Sequence, residues 1–177
     1  MHEEIKKADL MHNMLLAFER AETITFKKNL ILTAEGQVEN DLYFIEDGAV
    51  KVYYQSELEE HIVRLGYNGS TINSLSSFYN RKPSELFVET IRESKIKTLK
   101  RNQVLDIVSK SSGYPKFLEE LIIQQLDREL DLLHHSPLER LERVLERSPL
   151  LFQYIPLKYI ASYLRMSPET LSRIRKS

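Results

Sequence analysis

Between Thr23 and Leu99 the chain reads in short strand-like runs, and from Asn102 onward it reads in helices. The repeat of apolar side chains changes there from about 2 to about 3.6 residues, which separates a β segment from an α segment. The strand-like runs are Thr23–Phe26, Leu30–Thr33, Leu42–Ile45, Val50–Tyr54, His61–Leu65, Leu86–Ile91 and Ile96–Leu99. Val50, Val52 and Tyr54 alternate with Lys51 and Tyr53, the period of a half-buried strand. Asp47-Gly48, between two of these runs, predicts a hairpin. Many short strands separated by turn signals predict an antiparallel barrel or roll. With helices on either side, the fold class is α+β.

The flanking segments are helical. Ile5, Leu10, Met14, Leu15 and Phe18 recur at helical spacing within Met1–Arg20. Val104, Leu105 and Val108 share a face of a short helix that Ser111-Ser112-Gly113 breaks. Pro115 suits the first turn of the next helix, which runs to about His134. Phe117, Leu118, Leu121, Ile122, Gln125, Leu126, Leu130 and Leu133 line one stripe of it. A helix of this length, about 30 Å, needs a partner for such a stripe. The roll itself would serve, and so would a second copy of the chain. Ser136-Pro137 opens another helix and Ser148-Pro149 closes it. Two short helices, Pro156–Leu164 and Pro168–Lys176, finish the chain.

Composition excludes several functions. There are no cysteines among the 177 residues. A disulfide framework, a thiolate metal site and a cysteine nucleophile are therefore ruled out. No apolar run approaches the roughly 18–20 residues of a membrane span, and Met1–Leu10 lacks the apolar core of a secretory signal. A cytoplasmic protein without a membrane partner is expected. The histidines show no ligand spacing: His134 and His135 are adjacent, so they point about 100° apart on a helix. No metal or cofactor is expected. The acidic stretches have no nucleophile, catalytic base or phosphate-binding glycine loop beside them, so an enzyme is not expected.

Net charge is −1, but its distribution is uneven. Gln153–Ser177 carries Lys158, Arg165, Arg173, Arg175 and Lys176 against the single acid Glu169. A basic tail on an otherwise acidic chain suits a polyanion. The same segment holds Ile160, Ala161, Leu164, Met166, Leu171 and Ile174 at helix-turn-helix spacing. Ala161 is small where two helices would cross, and the larger residues form a shared apolar wedge. Ser167 is placed to cap the second helix, and Pro168 to start it. Glu169, Thr170, Ser172, Arg173 and Lys176 fall on the outer face, where they would meet base edges or phosphates. The turn position after Leu164, usually glycine in such units, is Arg165. A left-handed backbone there costs on the order of 1 kcal/mol.

The chain resembles the Crp/Fnr family of bacterial transcription regulators, the catabolite activator protein family. Glu35-Gly36-Gln37, Leu42-Tyr43-Phe44-Ile45 and Asp47-Gly48-Ala49-Val50 resemble the family's cyclic-nucleotide-binding-type roll. The tail IPLKYIASYLRMSPETLSRIRK is similar to that of the family's Bacteroidetes-type members. The resemblance implies three units. Residues 1–110 would form an effector-sensing β-roll, 111–135 a dimerisation helix, and 136–177 a helix-turn-helix DNA-binding unit. It implies a homodimer on double-stranded DNA, with RNA polymerase as a further partner. Glu169 and Arg173 match the family's base-reading glutamate and arginine. Ser167 and Thr170 match its phosphate contacts, and Arg175, Lys176 and Lys158 would add backbone contacts. Pro168 stands where the family's recognition helix has an arginine, so base preference should differ. The chain stops at Ser177, so the hairpin wing that usually follows is not expected.

The effector pocket departs from the cyclic-AMP pattern. The stretch that holds the ribose reads Asn73-Ser74-Leu75, and the pair that holds the cyclic phosphate reads Ser84-Glu85. An anionic phosphate beside Glu85 without a cation would be repelled. The expected effector is therefore a small molecule other than cyclic AMP. The rival reading is a ligand-binding or interaction module with a degenerate DNA-binding tail.

Overall fold

The computed structural model describes residues 9–176. Helix α1 (Leu10–Arg20) starts where Asp9 caps it, Oδ1 accepting from Met11 N at 3.0 Å. Ile5, which the sequence places on the same helix, lies outside the described residues. Strands β1 (Thr23–Phe26), β2 (Ile31–Thr33), β3 (Asp41–Asp47), β4 (Ala49–Gln55), β5 (Glu60–Tyr67) and β6 (Thr71–Ile72) follow. Then come the short helix α2 (Leu75–Asn80) and strands β7 (Phe87–Thr90) and β8 (Ser94–Lys100). The strands form two antiparallel sheets, in the orders β1-β8-β3-β6 and β2-β7-β4-β5. Tyr43, Ile45, Val50, Val52, Ile72, Val88 and Ile96 pack in a core contributed by both.

The hairpin predicted at Asp47-Gly48 does not form. Strand β3 pairs with β6 and β8, and β4 pairs with β5 and β7, so the two lie in different sheets. Both strands run longer than the sequence reading, leaving only Gly48 between them. One residue is too few for a two-residue hairpin turn, so the chain turns a corner instead. Gly48 makes that corner at φ +124°. A Cβ there would stand 2.2 Å from Ser94 Oγ and 2.6 Å from Ser94 Cα. The corner is tied by Gly48 N donating to Asn68 Oδ1 (2.9 Å) and Ala49 N donating to Ser94 Oγ (3.1 Å).

Five helices complete the described chain after α3 (Arg101–Lys110): α4 (Tyr114–Leu133), α5 (Pro137–Arg147), α6 (Leu151–Tyr154), α7 (Leu157–Tyr163) and α8 (Pro168–Ile174). Helices α1 and α3 cover one flank of the roll through Phe18, Phe78, Leu99 and Val104, with Phe18 stacked on Phe44 at 5.1 Å. The α4 stripe finds little cover. Phe117, Leu118 and Leu121 are half-buried, whereas Ile122, Ile123, Leu126, Leu130 and Leu133 are exposed. The one fully buried α4 side chain is Asp131. It accepts from Arg143 Nε at 2.8 Å and from Arg147 Nη2, both on α5, and so fastens the two helices together.

Candidate nucleic-acid interface and effector region

The α7–α8 pair is built as its spacing predicts. Ile160, Ala161, Leu164 and Leu171 are fully buried. Their core includes Leu141 and Val144 of α5, Leu151 and Ile155, and also Ala49 and Ile91 of the roll. Arg165 takes the left-handed backbone expected of it, at φ 53°. Ser167 Oγ accepts from Thr170 N at 3.1 Å and lies 3.1 Å from Thr170 Oγ1, which closes the first turn of α8. Glu169, Arg173, Arg175 and Lys176 are exposed on or just beyond α8, and Thr170 is half-buried. Arg175 lies over the Phe152 ring at 5.2 Å. Lys158, exposed on α7, lies over Tyr159 at 4.6 Å.

Sequence reasoning missed how firmly this unit is docked on the roll. Helix α7 packs along β5. Ser162 Oγ donates to Glu60 O at 3.2 Å and accepts from Ile62 N at 3.3 Å, so one hydroxyl serves both backbone groups of β5. Arg165 Nη1 donates to His61 Nδ1 at 2.9 Å. That bond fixes the neutral tautomer, with Nε2–H directed to Ser56 Oγ at 3.2 Å. Arg165, one of the cations counted in the basic tail, is thus held by the roll. Tyr154 stacks on Tyr67 at 5.1 Å.

Lys51 is the centre of this interface. It lies opposite Val50 and Val52 in the alternation of β4, yet it is only 2% exposed because α7 covers that face. Its ammonium pairs with Glu60 and, at 3.4 Å, with Glu89. It lies 4.1 Å from the Tyr53 ring and 5.0 Å from the Tyr159 ring of α7. Tyr53 donates to Glu89 Oε2 at 2.8 Å, and burial together with that carboxylate pushes the phenol well up. Helix α4 is tied to the same unit. Arg128 donates to Tyr163 O and lies over the Tyr163 ring at 3.8 Å.

The residues expected in the effector pocket separate into three places. Ser74 and Ser84 are buried and hydrogen-bonded to each other at 2.7 Å, and Ser84 Oγ also donates to Leu86 O at 2.7 Å. Asn73 and Leu75 instead line a cavity beneath α1, α3 and α4. Glu85 is exposed. The acid beside the serine pair is Glu39, which sequence reasoning did not single out. It is 2% exposed and accepts from Thr33 Oγ1 (2.7 Å), Asp41 N (3.0 Å) and Ser74 N (3.3 Å).

Burial raises the Glu39 carboxyl above its ordinary value, against the lowering effect of these donors. The folded state therefore keeps the proton to higher pH than the unfolded chain does. Stability contributed by Glu39 falls as pH rises through that window. A carboxyl-detected NMR titration should place its midpoint above that of an ordinary glutamate. A midpoint at or below the ordinary value would contradict this assignment.

Among the described residues no three His, Asp or Glu side chains gather as a metal site needs. None of the described helices is long and apolar enough to cross a membrane.

Known proteins share this architecture. FixK2 from Bradyrhizobium japonicum superimposes with a TM-score of 0.70 at 18% identity, over 88% of this chain and 83% of that one. CooA from Carboxydothermus hydrogenoformans, in a mutant form, gives 0.65 at 15% identity, over 97% and 84%. The catabolite activator protein of Thermus thermophilus gives 0.54 at 19% identity, over 93% and 81%. At these identities the likeness establishes the fold. A comparison with curated proteins finds no match. The sequence of residues 23–111, from β1 to just past α3, matches the cyclic nucleotide-binding domain. With half its length so matched and the roll folded as described, the chain belongs to the cyclic nucleotide-binding domain family.

Proposed function

We propose that this protein is a dimeric, sequence-specific DNA-binding transcription regulator of the Crp/Fnr type, controlled by a small molecule other than cyclic AMP. The observation that carries the reading is the α7–α8 unit. Its apolar residues are spent on a buried core, while Glu169, Arg173, Arg175 and Lys176 remain exposed. Glu169 and Arg173 read base edges in the major groove. Ser167, Thr170, Arg175 and Lys176 position the backbone, with Lys158 beside them.

Two copies pair along the exposed α4 residues Ile122, Ile123, Leu126, Leu130 and Leu133. That pairing sets two α8 helices about 34 Å apart, one helical turn of DNA. Asp131 and Arg128 fix α4 to the DNA-binding unit, and Ser162 and Lys51 fix that unit to the roll. An effector that favours one arrangement of these contacts shifts the population of the DNA-competent dimer.

The serine pair and Glu39 argue against cyclic AMP at the family's usual place. A cyclic phosphate there would meet a buried acid, and Arg81 is turned to Glu39 O (3.0 Å) and Asn40 Oδ1 (2.9 Å).

Arg173→Ala should weaken binding to the preferred duplex by about 1–3 kcal/mol and relax one base position. Fluorescence anisotropy on matched and random duplexes checks this. An equal loss on both would reduce Arg173 to a phosphate contact and leave base reading without its main residue.

A further inference from the structure

We propose that the cavity between the roll and helices α1, α3 and α4 binds a small amphiphile with an apolar body and a carboxylate head, the head held by Arg64. The cavity has a volume of about 370 Å³, and its walls are mainly apolar, with Met11, Met14, Leu42, Val108 and Leu121 among them. Pockets for small ligands start near this size. At about 30 Å³ for each water-sized atom it holds roughly twelve heavy atoms.

Two polar groups on the walls lack partners. Asn73 is 2% exposed, and its Nδ2 donates to Asp41 O at 3.2 Å, but its Oδ1 is buried with no hydrogen-bond partner. The Arg64 side chain makes no salt bridge or hydrogen bond among the described residues. Burial depresses its pKa, and the Tyr163 phenol offsets part of that effect. Arg64 is half-buried at the cavity wall, so its guanidinium is partly withdrawn from water with no carboxylate beside it. A bound carboxylate supplies the missing charge and pairs with two N–H groups at once. Asn73 Oδ1, which only accepts, would pair with a hydroxyl or N–H on the ligand body and not with the carboxylate. Glu120 also lines the cavity, but it is exposed to solvent and lies 4.0 Å from Lys116. Phe117 and Leu121 place α4 against the ligand, so occupancy bears directly on the helix whose exposed face pairs two copies.

Calling this ligand the effector rests on the regulatory reading above. The site itself does not, and binding without DNA tests it separately. Decanoate, with about twelve heavy atoms, is the probe, and decanol is its uncharged counterpart. Calorimetry on the full chain should give saturable decanoate binding about tenfold or more tighter than decanol. Methyl NMR should show shifts at Met11 and Met14 and none at Met166. Arg64→Met should bring decanoate down to the affinity of decanol. Val108→Phe, which fills part of the cavity and keeps the Arg64 side chain, should weaken both probes. The proposal is overturned if decanoate does not saturate, if the two probes bind equally, or if the shifts fall elsewhere than Met11 and Met14.

Discussion

Lys51→Met should destabilise the protein by about 3 kcal/mol, at the lower end of the range for breaking a buried ion pair. Methionine keeps the apolar stem and removes the ammonium. Glu89 and Glu60 would then face each other with Tyr53 as the remaining neutral donor. Glu60 has a 39% exposed side chain, so water relieves part of its cost, whereas Glu89 at 12% keeps most of its own. The ammonium also faces Tyr159, so the substitution loosens α7 on the roll as well as the roll itself. Urea denaturation of Lys51→Met alone and with Glu89→Gln checks the cause. The second change should recover part of the loss, because it removes one uncompensated charge. If Lys51→Met alone is neutral, the cluster is not holding the interface.

The second large effect is expected at the corner between the sheets. Gly48→Ala places a methyl within 2.6 Å of the Ser94 backbone, at a φ of +124° that side chains disfavour. Strain and overpacking together predict a loss of roughly 2–6 kcal/mol. Trimming the neighbour does not rescue it, because the Ser94 Cα clashes as well as the Oγ. Ser94→Ala alone removes the bond to Ala49 N and should cost about 1 kcal/mol. Thermal unfolding of the two variants separates these. A Gly48→Ala protein as stable as Ser94→Ala would mean that the corner is not the constrained point described.

The local elements were legible in the sequence where a period ran long enough to see. The strand Thr23–Phe26 is read to the residue, and the helix opened by Ser136-Pro137 begins where the cap and proline place it. Short elements without a period, β6, α2 and α6, were not legible. The Asp47-Gly48 signal was real as a turn and wrong as a pairing, since dipeptide chemistry carries no information about which sheet the next strand joins. Lys51 shows a similar limit. Alternation sets it opposite Val50 and Val52, but only the docking of α7 decides that this face is also buried. In the α7–α8 unit, apolar spacing and the Ser167 cap were visible because both are local. The bonds of Ser162 and Arg165 to β5 span about a hundred residues and leave no pattern in the chain. The residues expected to form an effector pocket were the least legible. Asn73 and Ser74 are neighbours in sequence, yet Ser74 meets Ser84 while Asn73 lines the cavity under α1, α3 and α4.

The measurement that bears most directly on the proposed function is selection of bound duplexes from a random DNA pool, run with and without cell extract to supply an effector. A regulator that pairs along α4 and presents two α8 helices should enrich an inverted repeat with half-sites about one helical turn apart, and binding should weaken steeply with salt. Enrichment of isolated half-sites, or none under either condition, would contradict the dimeric DNA-binding regulator.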